Sequence, residues 1–133
     1  MVTGLAHLCF RVTDLERAVT FYTEVLGLSK AFEFVRENGE RYGVYLKVGP
    51  RNFVELFETA EIVPGKGISY GHMCLEVDDM QETVVALRGQ GVVVSEPKLG
   101  KDQSWQAWLA DPEGNAIELH EYTAASRQGP YLT

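Results

Sequence analysis

The feature that most constrains the fold is an internal repeat. The segment 6–14 (AHLCFRVTD) aligns with 71–79 (GHMCLEVDD), and histidine, cysteine, valine and aspartate recur at the same places. Further along the chain, 53–58 (FVELFE) aligns with 116–121 (AIELHE), with a small change in spacing that a loop can absorb. Repetition of this kind indicates one supersecondary unit that occurs twice.

The repeat divides the 133-residue chain into two halves of similar length. A chain of this size can bury a core without a disulfide or a structural metal. We therefore predict a single domain of paired modules. Its parts are module 1 at about 1–60, a linker at about 61–67 that includes Pro64–Gly67, module 2 at about 68–123, and a tail at 124–133.

Each module has the pattern of a strand, a helix and three further strands. The first strand, at 5–12, is rich in β-branched and aromatic residues in alternation. The motifs Thr13-x-x-Glu16 and Asp79-x-x-Glu82 predict capping boxes at the starts of the two helices. The later strands are predicted at 30–37, 41–48 and 52–58 in module 1, and at 91–95, 104–110 and 115–122 in module 2. This order predicts the α+β class.

Composition argues against several kinds of partner. The formal net charge is −7, and no basic stripe interrupts the acidic sequence. Such a chain is not suited to bind nucleic acid or an anionic membrane. The first residues lack the features of a signal peptide, and no apolar run reaches the length of a membrane span. Two cysteines are too few for a secreted disulfide scaffold, so we expect a cytoplasmic protein.

Four residues with metal-binding side chains recur at equivalent positions of the two modules. Because side chains alternate along a strand, these four lie on faces opposite the apolar ones. They are His7, Glu55, His72 and Glu118. One such histidine or glutamate alone is usually structural. Two imidazoles and two carboxylates, however, suit a divalent first-row metal, and their pairwise recurrence favours a metal site.

Other residues on these faces have more than one interpretation. Arg11 could receive an anionic group of a substrate or form a salt bridge at a sheet edge. Phe53 and Trp108 are interpreted as pocket walls or core. The two cysteines lie on the histidine face as small spacers or as soft ligands. His120 lies either beside Glu118 or at the surface.

These motifs resemble the vicinal oxygen chelate superfamily, which includes glyoxalase I, fosfomycin-resistance proteins, extradiol dioxygenases and methylmalonyl-CoA epimerase. The matching segments are Leu5–His7, Val12–Leu15, Phe21–Tyr22, Leu26–Gly27, Tyr70–His72 and Asp111–Glu118. The resemblance covers about residues 3–122. It implies two paired βαβββ modules that form a U-shaped mixed sheet around a metal.

The resemblance is closest to the glyoxalase I-like branch. The four ligands of that branch correspond to His7, Glu55, His72 and Glu118, whereas the fosfomycin and extradiol branches use only the two histidines and the last glutamate. The presence of Glu55 therefore favours a glyoxalase-like or epimerase-like protein. Thr59 stands where glyoxalase I has an asparagine that holds glutathione, so the use of glutathione stays open.

The implied function is that of a metal-dependent lyase or isomerase of the lactoylglutathione lyase type. It would act through an enediolate on a small molecule with vicinal oxygens, and it would use one divalent ion per site (Ni, Zn, Co, Mn or Fe). Glu55 and Glu118 are the candidate bases, and Arg11, Phe53 and Trp108 are candidate substrate-binding residues. A homodimer is expected. The alternatives are a fosfomycin-type thiol transferase or hydrolase, an epimerase, an extradiol dioxygenase, and a metal-free drug-binding module.

Overall fold

A computed structural model of the chain describes residues 5–62, 70 and 72–132. It divides into two units, Met1–Ile68 and Ser69–Thr133. Each unit has one four-stranded mixed sheet. The α+β class and the repeated order of strand, helix and three strands are therefore confirmed. The predicted Pro64–Gly67 linker lies outside the described residues.

The first unit runs from an opening strand through a helix into a three-stranded meander. Its elements are β1 (His7–Val12), α1 (Leu15–Thr20), β2 (Ser29–Val35), β3 (Arg41–Lys47) and β4 (Phe53–Glu58). The strand order is β1-β4-β3-β2, in which β1 is parallel to β4 and the other pairs are antiparallel. After α1 the backbone continues in a π-helical turn, Phe21–Val25.

The second unit repeats this arrangement. Its elements are β5 (Met73–Glu76), α2 (Met80–Gly89), β6 (Lys98–Leu99), β7 (Trp105–Ala110) and β8 (Ala116–Glu121). The order is β5-β8-β7-β6, again with one parallel pair, β5 with β8. None of the described helices combines the length and the hydropathy of a membrane span.

The core of each unit lies between its helix and one face of its sheet. Phe10 and Val12 on β1 are buried, while His7, Cys9 and Arg11 on the same strand are exposed. In the central strands β4 and β8 apolar and polar residues also alternate, but there the polar Glu55, Glu118 and His120 are buried as well. Their fully or almost fully buried residues are Val54, Leu56, Ile117 and Leu119. Burial of such side chains contributes about 1.5–3 kcal/mol each and leaves the other sheet face free for polar groups.

Both helices begin at an aspartate. The Asp79 side chain accepts a hydrogen bond from the Glu82 backbone N–H at 2.8 Å, so the predicted start of α2 is confirmed. The predicted Thr13 cap of α1 is wrong by one residue. Asp14 is the N-cap, and its carboxylate accepts from the Arg17 backbone N–H at 3.0 Å. Aspartate and threonine are both good caps, so two adjacent candidates are not separated by residue type alone.

The predicted strand at 91–95 is wrong, because this part of the chain has only the two-residue strand β6 farther along. Val94 is buried, but Val93 is exposed. Ser95 donates its backbone N–H to the Trp108 carbonyl, and its hydroxyl oxygen accepts from the Trp108 N–H. Pro97, which has no N–H to donate, follows two residues later. The β-branched run is therefore hydrogen-bonded to β7 through Ser95 and forms no ladder.

Asp111 fixes the turn that leads into β8. Its carboxylate accepts hydrogen bonds from the Asn115 backbone N–H and from the Asn115 side-chain amide, both at 2.9 Å. Gly114 has a φ of 85°, which glycine adopts without strain. This turn determines where β8 begins and hence where Glu118 lies.

The segment expected to be a featureless tail is hydrogen-bonded to the loop before β7. The Ser126 hydroxyl lies 2.7 Å from the Ser104 hydroxyl, and both residues are buried. Thr123 donates to the Gln103 carbonyl at 2.7 Å. A short 3-10 helix, Gly129–Tyr131, follows. Polar residues without hydrophobic periodicity give no sign of this contact in the sequence.

An ion pair joins α1 to β3 and predicts a pH-dependent stability. Arg41 donates two hydrogen bonds of 2.6 Å to the Glu16 carboxylate, and these lower the pKa of Glu16 below its usual 4.5. A lowered pKa in the folded state stabilises the protein above the unfolded-state pKa, and the contribution is lost as the pH falls through the folded-state value. We expect Glu16→Gln to lose about 0.5–1 kcal/mol of unfolding free energy at neutral pH and a smaller amount near pH 3, below the usual pKa of the carboxyl group.

Urea denaturation at the two pH values measures this difference. Glu24→Gln is the matched control, because Glu24 forms no ion pair within the described part of the chain. An equal loss for Glu16→Gln at both pH values would contradict the assignment.

Candidate functional site

His7 and Glu55 meet on the exposed face of the first sheet. The parallel strands β1 and β4 are hydrogen-bonded neighbours, and this register brings His7 Nε2 to 3.4 Å from Glu55 Oε1. The histidine side chain is 42% exposed, whereas the glutamate side chain is 11% exposed. The pair therefore has a buried carboxylate below an accessible imidazole.

Two further side chains contact Glu55. The register places Cys9 on one side of it and Tyr45 on the other. Burial by itself would raise the pKa of Glu55, but hydrogen bonds from the Tyr45 hydroxyl and the Cys9 thiol outweigh burial and lower it. The Tyr45 ring also contacts the His7 ring edge-on, with centroids 5.7 Å apart. Tyr45 could not be predicted from the sequence, since its place opposite Glu55 follows only from the register of β3.

His72 and Glu118 form the equivalent pair in the second unit. His72 Nε2 lies 3.0 Å from Glu118 Oε2, and again the imidazole is accessible while the carboxylate is buried. His72 immediately precedes β5, and the Trp108 ring lies against it edge-on at 4.8 Å. The repeat therefore reproduces the pair as well as the backbone.

Glu118 has a second imidazole neighbour that Glu55 lacks. His120 Nδ1 lies 3.1 Å from Glu118 Oε1, and the His120 residue is 6% exposed. Its other nitrogen, Nε2, lies 3.6 Å from Asp102 Oδ2. A hydrogen bond from Gln128 lowers the pKa of Asp102. His120 therefore lies beside Glu118, the first of the two places the sequence left open for it.

The two cysteines are neutral thiols at physiological pH. Restricted hydration and the nearby Glu55 raise the pKa of Cys9 to about 11. Restricted hydration and the Glu118 charge raise the pKa of Cys74 to about 12. Because a thiol coordinates a metal as its thiolate, both are weak ligands until the proton leaves.

The predicted substrate-binding residues border these pairs within their own units. Arg11 is exposed on the same face of β1 as His7. Phe53 is half-buried on β4 and contacts the Tyr45 ring. Trp108 is opposite Glu118 in the β7–β8 register. Each of them therefore faces the polar side of its sheet.

The donor atoms fit a divalent metal ion. In each unit, a nitrogen and a carboxylate oxygen lie within 3.4 Å of each other on one sheet face. In the second unit, ligand atoms of Cys74, Glu118 and His120 also lie within 4.8 Å of one another. Coordination of one ion by His7, Glu55, His72 and Glu118 stays a prediction.

The sequence matches a family model, "Glyoxalase/Bleomycin resistance protein/Dioxygenase superfamily", over residues 4–119. "Lactoylglutathione lyase" of Salmonella typhimurium is 33% identical over 132 residues, which cover 92% of this chain and 96% of the relative. "Glutathione transferase FosA" of Serratia marcescens is 30% identical over 139 residues, which cover 98% of this chain and 93% of the relative.

Solved structures have the same fold. TnmS3, an antibiotic binding protein from a Streptomyces species, has a TM-score of 0.74 at 26% identity, over 92% of this chain and 98% of that chain. A lactoylglutathione lyase from Agrobacterium tumefaciens has a TM-score of 0.70 at 22% identity, over 90% and 94% of the two chains, and this likeness concerns the fold alone. The chain belongs to the glyoxalase/bleomycin resistance protein/dioxygenase superfamily.

Proposed function

We propose that this protein is a metal-dependent lyase or isomerase of the glyoxalase I type. In this proposal one divalent ion is held by His7, Glu55, His72 and Glu118. The observation that carries it is the repeated pair, in which each unit sets one histidine against one buried glutamate. The lactoylglutathione lyase relative at 33% identity supports the same class of reaction.

The proposed reaction is a proton transfer between neighbouring carbons of a small substrate with vicinal oxygens. When bound, the ion supplies a Lewis acid that stabilises negative charge on the substrate oxygens. A glutamate takes the proton from the carbon next to the carbonyl, and the electron pair of the C–H bond moves toward the carbonyl oxygen to give an enediolate. The same carboxyl group returns the proton to the adjacent carbon, so that no oxidant or reductant is consumed.

The chain's own groups would orient the substrate. Glu55 and Glu118 are the candidate bases, since both are carboxylates on the polar sheet faces. Arg11 offers a guanidinium for a carboxylate or phosphate of the substrate. Phe53 and Trp108 offer ring surfaces for its apolar part.

A second candidate is the transfer of a thiol to a small electrophile. It is favoured by the FosA relative, which is named a glutathione transferase and aligns with 98% of this chain. The likeness to TnmS3, an antibiotic binding protein, similarly favours binding of a drug that is not converted to a product. Epimerase and dioxygenase activities stay as alternatives within the superfamily.

A substrate panel on the metal-loaded full chain separates these candidates. The panel contains methylglyoxal hemithioacetals of several thiols, fosfomycin with a thiol, a catechol with oxygen, and an epimerisable acyl-CoA. We expect turnover of a hemithioacetal and loss of turnover after chelation. Turnover of fosfomycin would instead favour the transferase, and oxygen consumption with a catechol would favour the dioxygenase. Binding of an antibiotic without turnover of any substrate would favour a binding protein.

We also propose that the protein is a homodimer. Strand β2 is exposed along its whole length and includes the apolar residues Phe32, Phe34 and Val35. A second copy that covered these side chains would remove apolar surface from water. Light scattering at micromolar concentration should give twice the 14.8 kDa mass of one chain, and Phe32→Lys should lower that value. A wild-type monomer would contradict this proposal.

A further inference from the structure

The two equivalent glutamates have different neighbours two residues later on their strands. On β4 the residue after Glu55 and Leu56 is Phe57, whereas on β8 the equivalent position is His120. The two units therefore differ at the position next to the equivalent glutamates, on the same face of the strand. This difference requires an explanation, because burying an imidazole is more costly than burying a phenyl ring unless its nitrogens have partners.

One nitrogen of His120 has a clear partner. Nδ1 lies 3.1 Å from Glu118 Oε1, while the other carboxylate oxygen faces His72 at 3.0 Å. With the ring proton on Nδ1 this contact is a hydrogen bond that the Glu118 carboxylate accepts. His120 thus engages one oxygen of Glu118 and leaves the other oxygen facing His72.

The other side of the ring is bordered by a fixed carboxylate. Nε2 lies 3.6 Å from Asp102 Oδ2 and has no hydrogen-bond partner among the described residues. Asp102 itself is held by the Gln128 side-chain amide at 2.7 Å and by the Ser104 backbone N–H at 3.2 Å. The Asp102 carbonyl also accepts from the Arg127 N–H at 2.8 Å.

We infer that His120 is a positioning residue that fixes the orientation of the Glu118 carboxylate. Asp102 and the segment 123–128, which hydrogen-bonds to the loop around it, keep the imidazole ring in place. This inference deepens the proposed function and rests on it where Glu118 acts as a metal ligand. Groups that hold a ligand in this way typically change metal affinity by about 10–100-fold when they are removed.

Metal affinity of two variants provides the first test. His120→Phe installs the residue of the equivalent position in the first unit and removes the donor to Glu118. His120→Asn keeps an N–H donor, since the asparagine amide reaches nearly the same place as Nδ1. By chelator competition, we expect His120→Phe to weaken Zn²⁺ or Ni²⁺ binding by about 10–100-fold and His120→Asn to recover most of the loss.

Thermal unfolding of the metal-free proteins shows whether both variants fold. Wild-type affinity in folded His120→Phe would overturn the inference. So would an equal loss of affinity in both variants, because a general packing defect, and not the hydrogen bond, would then be responsible.

A second test uses no metal. The chain has three histidines, so long-range ¹H–¹⁵N spectra of the imidazole rings can be assigned with single substitutions. We expect the apo protein to carry a proton on His120 Nδ1, and Glu118→Ala to change the His120 signals. A His120 with its proton on Nε2 alone would overturn the inference even if the protein binds metal. Absence of metal binding by the wild type would overturn the proposed function, and the spectra would still decide the role of His120.

Discussion

His72→Ala should lose metal binding and activity together. Removal of one of four proposed ligands leaves the ion with too few donors. We expect the metal affinity to fall by more than about 100-fold, which exceeds the effect typical of residues that only hold a ligand in place. His7→Ala should behave in the same way, because His7 and His72 occupy equivalent positions. Metal content after dialysis and chelator competition measure the effect, and turnover is measured on the same samples.

Cys74→Ala is the matched control for this experiment. Cys74 lies two residues after His72, and its sulfur is near Glu118 and His120. If the two histidine–glutamate pairs hold the ion, removal of the thiol should leave the affinity nearly unchanged. Full metal occupancy in His72→Ala with loss of metal in Cys74→Ala would instead assign the ion to Cys74, Glu118 and His120.

Glu55→Gln should reduce turnover far more than it weakens metal binding. The amide oxygen can still coordinate an ion, but an amide is not a base. Loss of a general base typically lowers a rate by about 10²–10⁴-fold. Glu118→Gln is the equivalent variant of the second unit. The base is the glutamate whose variant has the larger fall in kcat at nearly constant metal affinity. The ratio of the two effects therefore shows which glutamate is the base, which the equivalence of the two units does not reveal.

Isotope exchange provides an independent measurement of the same step. In deuterated water, the product should acquire deuterium at the carbon that receives the proton, to the extent that the carboxyl proton exchanges with solvent. A dependence of activity on iron and oxygen would show that the reaction is an oxygenation and that Glu55 is not its base. Unchanged turnover in both glutamine variants would likewise contradict the proposed proton transfer.

The repeat made most of the fold predictable from the sequence. Recurrence of a strand, a helix start and a final strand defined two modules, and strand alternation placed His7 and Glu55 on the polar face of the first sheet. The same argument placed His72 and Glu118 in the second unit. These inferences depend only on the two-residue period of strands, which tertiary context does not change.

Features that depend on tertiary contacts could not be predicted. The run at 91–95 has β-branched residues, but it forms no ladder, and Ser95 is hydrogen-bonded to Trp108 on β7. Tyr45 reaches Glu55 only through the register of β3. The contact of Asp102 with His120 joins a loop to a strand, and no periodicity in the sequence predicts it.

The hydrogen bonds of the segment 123–128 have a practical consequence for handling the protein. Residues 127 and 128 hydrogen-bond to Asp102, so a purification tag, a fusion partner or a truncation at the C-terminal end would disturb these contacts. Recombinant protein with such an end could purify normally and still show impaired metal uptake.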